Sequence, residues 1–203
     1  MSKPSPLLQI NKLQRPMFGP LSLAINAGEC VCLSGPSGAG KSQLLRAIAD
    51  LDPHDGEVLL AGESSGDIKP YLWRQRVGLL PPESSWWWPT AAGHFHNGLP
   101  VALEALGLPL DILGKPITRL SSGEKQRLAL LRLLANAPRV LLLDEPTANL
   151  DPANTLRTEA VINAYRQSHG VAILWVSHDP EQMTRVADRR LQLSDGELQE
   201  QPA

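Results

Sequence analysis

Apolar residues follow two different patterns in this chain. Near the amino terminus, Leu7 to Leu13 and Leu21 to Ile25 have the spacing of half-buried strands. In the second half, the apolar runs 139–143 and 171–176 predict strands buried on both faces, and stretches of helical periodicity alternate with them. This succession predicts an α/β fold in which a mostly parallel central sheet is flanked by helices and an antiparallel β portion lies near the amino terminus.

The remaining apolar runs and turn signals complete the pattern. They predict strands at 29–34, 57–62, 77–80 and 190–193, and helices at 43–49, 71–76, 122–135, 155–168 and 180–187. Residues 83–119 differ, because they hold three adjacent tryptophans with several prolines and glycines, and they are interpreted as a small, mostly helical insertion with one helix around Val101 to Leu106. A short polar tail is expected after the turn 194–196.

Length and composition favour one cytosolic domain. The chain has 203 residues, of which 42% are apolar and 20% charged, and the formal net charge is −2. That charge supplies no basic field to attract nucleic acid. No apolar run approaches the roughly 20 residues that cross a bilayer, and residues 1–6 hold no signal-peptide core. The single domain 1–203 is expected to consist of a core, 1–82 and 120–203, and the insertion 83–119.

The chain has two cysteines, Cys30 and Cys32, which stand two residues apart on one predicted strand. At that spacing both side chains point to the same face of the strand, so no disulfide is expected between them. A metal site would need more ligands than the sequence places nearby, and the cysteines are expected to be small buried side chains.

The clearest chemical signal stands between the strand 29–34 and the helix 43–49. It fits the phosphate-binding pattern G-x-x-x-x-G-K-[ST] at every specified position, with Gly35, Pro36, Ser37, Gly38, Ala39, Gly40, Lys41 and Ser42. Backbone N–H groups at a glycine-rich turn and a helix N-terminus bind phosphates. Lys41 is expected to reach the β- and γ-phosphates, and the Ser42 hydroxyl to bind Mg²⁺. The pattern predicts binding of a nucleoside triphosphate.

Two carboxylates follow the buried strand 139–143. Asp144 is expected to lie at the carboxyl edge of the sheet beside the phosphate loop, where it would bind Mg²⁺. Glu145, one residue further on, is placed to orient or deprotonate an attacking water.

A second helix start carries anion-binding residues, Ser121, Ser122 and Gly123, followed by Glu124. Hydroxyl groups and free N–H groups at a helix N-terminus favour anions. A second phosphate site is redundant if the protein acts alone. It makes sense if it serves a nucleotide held by another copy.

Taken in order, these motifs resemble those of the ATP-binding-cassette ATPases, the nucleotide-binding subunits of ABC transporters. Residues 120–124 match the family signature L-S-G-G-[QE], except that Ser122 replaces the first glycine. The resemblance implies a P-loop NTPase fold with a small helical subdomain, and ATP and Mg²⁺ as ligands. It also implies that Ser121 and Gly123 contact the γ-phosphate of ATP on the opposite subunit of a homodimer.

The resemblance implies further roles around the same site. Glu145 corresponds to the catalytic glutamate, and His178 to the switch histidine that touches the γ-phosphate. The segment after Ala148 resembles the family's dimer-contact loop, with Asn149, Leu150 and Asp151.

Two positions depart from the family pattern. Pro82 stands where the family carries a glutamine, and proline offers no side-chain donor or acceptor. Glu83 is next in the chain and could replace that contact to Mg²⁺ or water, or be a solvated loop residue. The aromatic side chain that stacks on adenine is not obvious: Gln14 and Arg15 are near its expected place, Arg15 could stack by its guanidinium, and Phe18 is a less well-placed candidate.

The motifs together favour an ATP-hydrolysing energy-coupling subunit that drives a separate membrane permease from the inner face of the cell membrane. A soluble ABC ATPase of DNA repair, translation or cofactor assembly, a small-molecule kinase, and a weakly hydrolysing regulatory module are the alternatives. Short length, the start Leu7-Leu8-Gln9 and the segment 173–179 are similar to a small bacterial group suggested to export iron. Trp86, Trp87 and Trp88 are compatible with a docking surface for the permease or with packing inside the insertion.

Overall fold

Two β-sheets, packed with five α-helices, make up the described part of the chain. The computed structural model describes residues 5–95, 98–99 and 101–201. Most of the segment 1–6, for which the sequence predicts no signal peptide, therefore lies outside the described residues. The strands are β1 Leu8–Arg15, β2 Phe18–Ile25, β3 Cys30–Ser34, β4 Asp55–Leu60, β5 Glu63–Ser64, β6 Val77–Leu80, β7 Val140–Asp144, β8 Ala172–Val176, β9 Arg189–Ser194 and β10 Glu197–Gln201. The helices are α1 Lys41–Ile48, α2 Pro70–Arg76, α3 Ser122–Leu134, α4 Pro152–His169 and α5 Pro180–Val186.

The two sheets confirm the predicted fold class. The smaller sheet has the order β2-β1-β4-β5 and is antiparallel throughout. The larger sheet has the order β10-β9-β3-β8-β7-β6, and its strands pair in parallel except for the β10–β9 pair. The α-helices stand between the strands of the parallel sheet, as crossover connections require.

The central strands are apolar throughout because each contributes to two hydrophobic cores. On β7, Val140 and Leu142 belong to the core shared with α1 and the antiparallel sheet, whereas Leu141 and Leu143 face the core of α3 and α4. Successive side chains of a strand point to opposite faces, so a strand covered on both faces needs apolar residues at every position. Cys30 and Cys32 lie together in the second core, buried and unbridged as predicted.

The insertion differs from its prediction. In its described residues it contains four short 3₁₀ turns and no α-helix, and the helix expected around Val101 to Leu106 is a single turn, Leu103–Leu106. Gly107 ends that turn at a φ of 63°. Pro109 and Pro116 follow closely and remove the N–H groups that a longer helix needs. The turns still bury apolar side chains, including Leu103, Leu106 and Ile112.

The expected polar tail is a strand. Ser194 pairs with Glu197 across a two-residue turn of Asp195 and Gly196, whose φ angles are 51° and 79°. Positive φ at both turn positions is the type I′ hairpin geometry that an Asp-Gly pair favours. The Asp-Gly pair was therefore a hairpin signal, and the polarity of residues 197–201 suits an exposed edge strand.

An ion-pair cluster connects the end of β1 with the last turn of α1. The Asp52 carboxylate accepts hydrogen bonds from Arg15 Nη1 at 2.8 Å and from Arg46 Nε and Nη2 at 2.9 and 2.7 Å. The hydrogen bond from Arg46, followed by that from Arg15, lowers the pKa of Asp52 to about 2. The carboxylate is therefore ionised over the whole neutral and mildly acidic range.

Replacing this carboxylate should reduce stability in a pH-dependent way. A depressed pKa means that the stabilisation is present above the unfolded-state pKa of about 4 and is lost as the pH falls toward 2. We expect Asp52→Asn to lower the free energy of unfolding by about 1 kcal/mol at pH 7, as a partly exposed ion pair does. Urea titrations of both proteins from pH 7 to pH 3 should show the difference narrowing below about pH 4. A constant difference would contradict the electrostatic origin.

Candidate functional site

Three strands of the parallel sheet end at one edge, and each is followed by residues with phosphate or acid–base chemistry. The neighbours run β3, β8 and β7. The phosphate loop follows β3, Ser177 and His178 follow β8, and Glu145 follows β7, whose last residue is Asp144. Since the carboxyl ends of parallel strands meet at the same edge, this topology brings together groups that are more than 100 residues apart in the chain.

The phosphate loop has the backbone that its glycines allow. Gly35 has a φ of 145°, and a Cβ there would collide with the backbone carbonyl of Leu193 on β9. Gly40 is the residue before α1 and has a φ of 95°. These conformations favour glycine and leave the N-terminus of α1 facing the loop. Pro36, Ser37 and Gly38 are exposed, and Ala39 is half-buried.

Lys41 crosses the mouth of this loop. Its Nζ donates to the carbonyl oxygens of Gly35 and Pro36 at 2.8 and 2.9 Å. Burial lowers the pKa of Lys41, and the negative charges of Glu145 and Asp144 oppose that shift. The ammonium group is therefore held beside both carboxylates, in the loop that would surround the phosphates.

Ser42 and Asp144, the two predicted Mg²⁺ ligands, lie next to each other. The Ser42 hydroxyl hydrogen-bonds the Asp144 carboxylate, and burial raises the pKa of Asp144 while that bond opposes the rise. Mg²⁺ is usually bound through one or two carboxylates together with substrate phosphates. One hydroxyl and one buried carboxylate next to a phosphate loop fit that donor set, although the described residues contain no group of three or more His, Cys, Asp and Glu that could hold a metal alone.

Glu145 and His178, which the sequence predicts to be catalytic, contact each other. Glu145 Oε1 lies 3.1 Å from His178 Nε2. Glu145 has a φ of 49°, an uncommon conformation for a residue with a side chain, and its backbone N–H donates to the Val176 carbonyl at 3.2 Å. Both side chains line a cavity of about 520 Å³ that opens beside α4 and α5. Strained backbone at a polar cavity is typical of functional positions.

The signature residues form a capping box. Ser121 precedes α3, and its Oγ accepts from Glu124 N at 3.2 Å and donates to Glu124 Oε2 at 2.9 Å, while Ser121 N donates to the same oxygen at 2.8 Å. The hydrogen bond from the Ser121 backbone lowers the pKa of Glu124. Ser121 and Ser122 are exposed. The helix start therefore presents hydroxyl groups to solvent, as a site for another molecule's phosphate would.

Gly123 brings α3 against the predicted dimer-contact loop. A Cβ at this position would lie 3.0 Å from the Asn149 carbonyl and 3.0 Å from Leu150 Cδ2. At the end of that loop, Asp151 caps α4 by accepting from Asn154 N at 2.9 Å, and hydrogen bonds from Asn154 lower its pKa. Asn149 and Asp151 are exposed, and Leu150 is half-buried.

Arg127 and Asn154 were missed by the sequence interpretation. Arg127 is buried, and its Nε donates to the Gly123 carbonyl at 3.1 Å while its Nη1 donates to Leu106 O at 2.6 Å and to Asn154 Oδ1 at 2.9 Å. One guanidinium thus ties the signature helix to the insertion and to the cap of α4. The signal available in the sequence was the arginine in the second turn of a helix that begins with a capping box.

Pro82, which stands where the family carries a glutamine, is exposed and lies beyond the end of β6. Gln126 of α3 is buried and donates from Nε2 to the Pro81 carbonyl at 3.2 Å, so it connects the signature helix to this segment. Glu83 is exposed, and its role toward Mg²⁺ stays a prediction.

A cavity beside the phosphate loop brings together the candidates for base stacking. A cavity of about 970 Å³ lies between the turn after β1 and residues Gly38 and Ala39. Phe18 is 3% exposed and packs beneath Gly40, so its ring face is not available to a base. Arg15 also lines the cavity and is oriented by the contact of its Nη1 with Asp52 Oδ2 at 2.8 Å, so stacking by its guanidinium stays a prediction. Met17, which the sequence interpretation missed, is 47% exposed in this cavity.

The tryptophan run divides into one packed ring and two exposed rings. Trp86 is half-buried, whereas Trp87 and Trp88 are 67% and 49% exposed. The Arg132 guanidinium lies 4.5 and 4.8 Å from the ring centroids of Trp86 and Trp87, and the His94 ring makes edge contacts with both. Cation–π and aromatic contacts of this kind stabilise a fixed orientation of the rings.

The fold and the phosphate loop define a P-loop ATPase in which α3 begins at the signature-like residues 120–124. The family model for "ABC transporter" matches residues 18–148. The probable iron export ATP-binding protein FetA of Escherichia coli (strain K12) is 36% identical over 220 aligned positions, covering 98% of this chain and 97% of that protein. The aliphatic sulfonates import ATP-binding protein SsuB 2 of Agrobacterium fabrum is 37% identical over 88% of this chain and 70% of that protein. The chain belongs to the ABC transporter family, as one of its ATP-hydrolysing subunits.

Solved structures share the fold at lower identity. An ATP-binding cassette solved as a dimer in a post-hydrolysis state with ADP and Pi superimposes with a TM-score of 0.80 at 24% identity, over 96% of this chain and 97% of that chain. A bacterial Atm1-family ABC exporter with ATP bound gives a TM-score of 0.83 at 24% identity, where this chain covers 38% of the longer protein. No helix among the described residues has the length and apolar character needed to span a membrane.

The close approach at Gly123 generates a stability prediction. Gly123→Ala should force α3 away from the Asn149 carbonyl by a few tenths of an ångström, and overpacking of this kind costs about 1–3 kcal/mol. Ser122→Ala, one residue earlier and exposed, should change the free energy of unfolding by less than about 0.5 kcal/mol. Urea unfolding of both variants tests this. Equal stabilities would show that the loop accommodates the methyl group.

Proposed function

We propose that this ATPase works as a homodimer that closes around ATP and drives a separate membrane permease. The observation that carries the proposal is the 3.1 Å contact between Glu145 and His178, next to the hydrogen-bonded pair Ser42 and Asp144 at one edge of the sheet. An acid–base pair, a candidate cation site and a phosphate loop at one place are what hydrolysis of a nucleoside triphosphate needs.

The phosphates would be bound by the loop 35–42. Its N–H groups and the N-terminus of α1 complement negative charge, and Lys41 would exchange its bonds to the Gly35 and Pro36 carbonyls for phosphate oxygens. Mg²⁺ would be held by Ser42 and Asp144, where it would neutralise charge on the phosphates. The adenine would lie in the cavity that includes Met17.

Hydrolysis would depend on Glu145 and His178. The Glu145 carboxylate would orient the attacking water or accept its proton. His178 Nε2, now 3.1 Å from Glu145 Oε1, would turn toward the γ-phosphate when nucleotide is bound. The two side chains are 35% and 49% exposed, so a second subunit covering this face would exclude water from the site.

The second copy would supply the signature helix. Ser121 and Ser122 are exposed at the start of α3, and Gly123 lets the helix lie directly on the loop 149–151. In a two-fold dimer the same surface serves both subunits, so each signature helix would complete the site of the other. The exposed Asn149 and Asp151 would form the contact between the two copies.

The exposed tryptophans favour a permease surface on the insertion. Trp87 and Trp88 are large, rigid and exposed, as residues at the centre of interfaces are. They follow closely on Pro82, so a partner bound there would lie near the end of β6. The name of the Escherichia coli relative makes iron export the first transport activity to test, and the permease contact would place this subunit at the inner face of the cell membrane.

The catalytic assignment is tested by Glu145→Gln. Removing a general base lowers turnover by about 10²- to 10⁴-fold. The variant should still bind ATP and should form an ATP-stabilised dimer. Phosphate release and size-exclusion chromatography with ATP measure both properties. Glu181→Gln, an exposed carboxylate on the same cavity, is the matched control and should keep wild-type turnover. Wild-type hydrolysis by Glu145→Gln would end the assignment.

The docking surface is tested by Trp87→Ala. Because this ring is 67% exposed and packs only on Arg132 and His94 in the contacts described above, its removal should cost no more than about 1 kcal/mol of stability and leave ATP binding nearly unchanged. The amount of protein that co-sediments with membranes of the cell in which it is naturally made should fall at least about tenfold, because losing a hot-spot residue costs about 2 kcal/mol of binding free energy. Trp86→Ala is the control for packing and should lower the melting temperature. If all three Trp→Ala variants lose stability alike and keep membrane binding, the run is packing within the insertion.

A further inference from the structure

A buried amide connects the two loops that carry the proposed catalytic pair. Gln182 lies in the first turn of α5 and is 3% exposed. Its Nε2 donates to Thr147 Oγ1 at 2.8 Å and to Glu159 Oε1 at 2.8 Å, and its Oε1 accepts from Ser177 Oγ at 2.9 Å. Both amide protons and the carbonyl are therefore used, and the orientation of the side chain is determined by its partners.

Two of these partners, Thr147 and Ser177, lie next to the proposed catalytic residues in the chain. Thr147 stands two residues after Glu145, and Ser177 stands directly before His178. Thr147 and Ser177 are 9% and 4% exposed, so both hydroxyl groups need partners inside the protein. A single side chain therefore connects the loop after β7 to the loop after β8 and holds the two loops at a fixed distance from each other.

The hydrogen-bond network continues into α4, and the donor and the acceptor of each bond can be assigned. Glu159 is 7% exposed and accepts from Arg185 Nε and Nη2 at 3.0 and 2.8 Å, so its carboxylate is ion-paired beside Gln182. Ser177 Oγ donates to Gln182 and accepts from Asp179 N at 3.1 Å. A carboxylate at position 182 could not donate to Glu159 and would repel it, so this place favours an amide.

We propose that Gln182 is a positioning residue for ATP hydrolysis, which holds Glu145 and His178 at their mutual distance by cross-linking Thr147 and Ser177. The proposal rests on the catalytic roles proposed for Glu145 and His178. Gln182 touches neither side chain in the contacts described above, and it acts through the backbone of the two loops. Misplacement of catalytic groups by about 1 Å can cost about 100-fold in rate.

Two variants and a control test the proposal. Gln182→Met keeps the length of the side chain and removes all three hydrogen bonds, and Gln182→Glu keeps the acceptor and removes the donors. Both should lower kcat by about 10- to 100-fold and leave KM for ATP within about twofold, because the phosphate loop is untouched. Thr184→Val, a polar exposed position on the same helix, should leave kcat and KM within about twofold of wild type.

A compensating double variant separates positioning from general stability. Glu159→Gln combined with Gln182→Glu exchanges donor and acceptor. The amide then at position 159 could donate to the carboxylate at position 182, which could still accept from Ser177, while the Thr147 hydroxyl would have to change from acceptor to donor. We expect the double variant to be more active than Gln182→Glu alone but less active than wild type, because Glu159→Gln also removes a carboxylate oxygen that accepts from Arg185.

Two results would overturn the proposal. One is a kcat of Gln182→Met and of Gln182→Glu within about threefold of wild type at a temperature where both variants are folded. The other is a double variant no more active than Gln182→Glu. If wild type hydrolyses ATP, Glu145→Gln abolishes hydrolysis and the Gln182 variants behave like wild type, then the inference on Gln182 fails while the catalytic assignment stands. If Glu145→Gln hydrolyses ATP normally, the catalytic assignment itself fails.

Discussion

Parallel pairing of β3, β8 and β7 is the constraint on which the rest of the site depends. A parallel pair requires a crossover, and each crossover here passes through a helix before the next strand returns to the same edge. The edge therefore brings together, in this spatial order, the phosphate loop, Ser177 with His178, and Asp144 with Glu145, although these groups are far apart in the chain. The apolar character of the strands, with both faces buried, keeps that edge rigid.

At this rigid edge, the polar side chains of the candidate site are oriented by their own hydrogen-bond partners. Lys41 is held by two carbonyl groups and Asp144 by Ser42. Ser121 is held by Glu124, and the signature helix by Arg127. Buried polar groups in such networks have their partners satisfied inside the protein, which makes each arrangement specific and costly to disturb. The candidate site is thus assembled from several small networks that the sheet brings close together.

The sequence predicted the parts that follow from local pattern. The buried runs 139–143 and 171–176 predicted β7 and β8, and the glycine-rich motif at 35–42 predicted the turn into α1, because each depends on spacing within a short window. The insertion and the final hairpin were harder, since 3₁₀ turns have little periodicity and a polar edge strand looks like a loop. Long-range contacts could not be predicted. That Gln182 reaches Thr147, or that Arg15 pairs with Asp52, depends on contacts between residues 35 and 37 positions apart.

The packing of Gly35 against Leu193 has a consequence for how the protein is made. The phosphate loop belongs to the early part of the chain, yet its backbone lies directly on the carbonyl of β9, and Gly19 N donates to Gly196 O at 2.9 Å. During synthesis the amino-terminal part leaves the ribosome first and waits for these late partners. The nucleotide site therefore cannot reach its final shape until β9 and the turn after it have been translated, so chains that end before β9 do not present a finished ATP site to the cell.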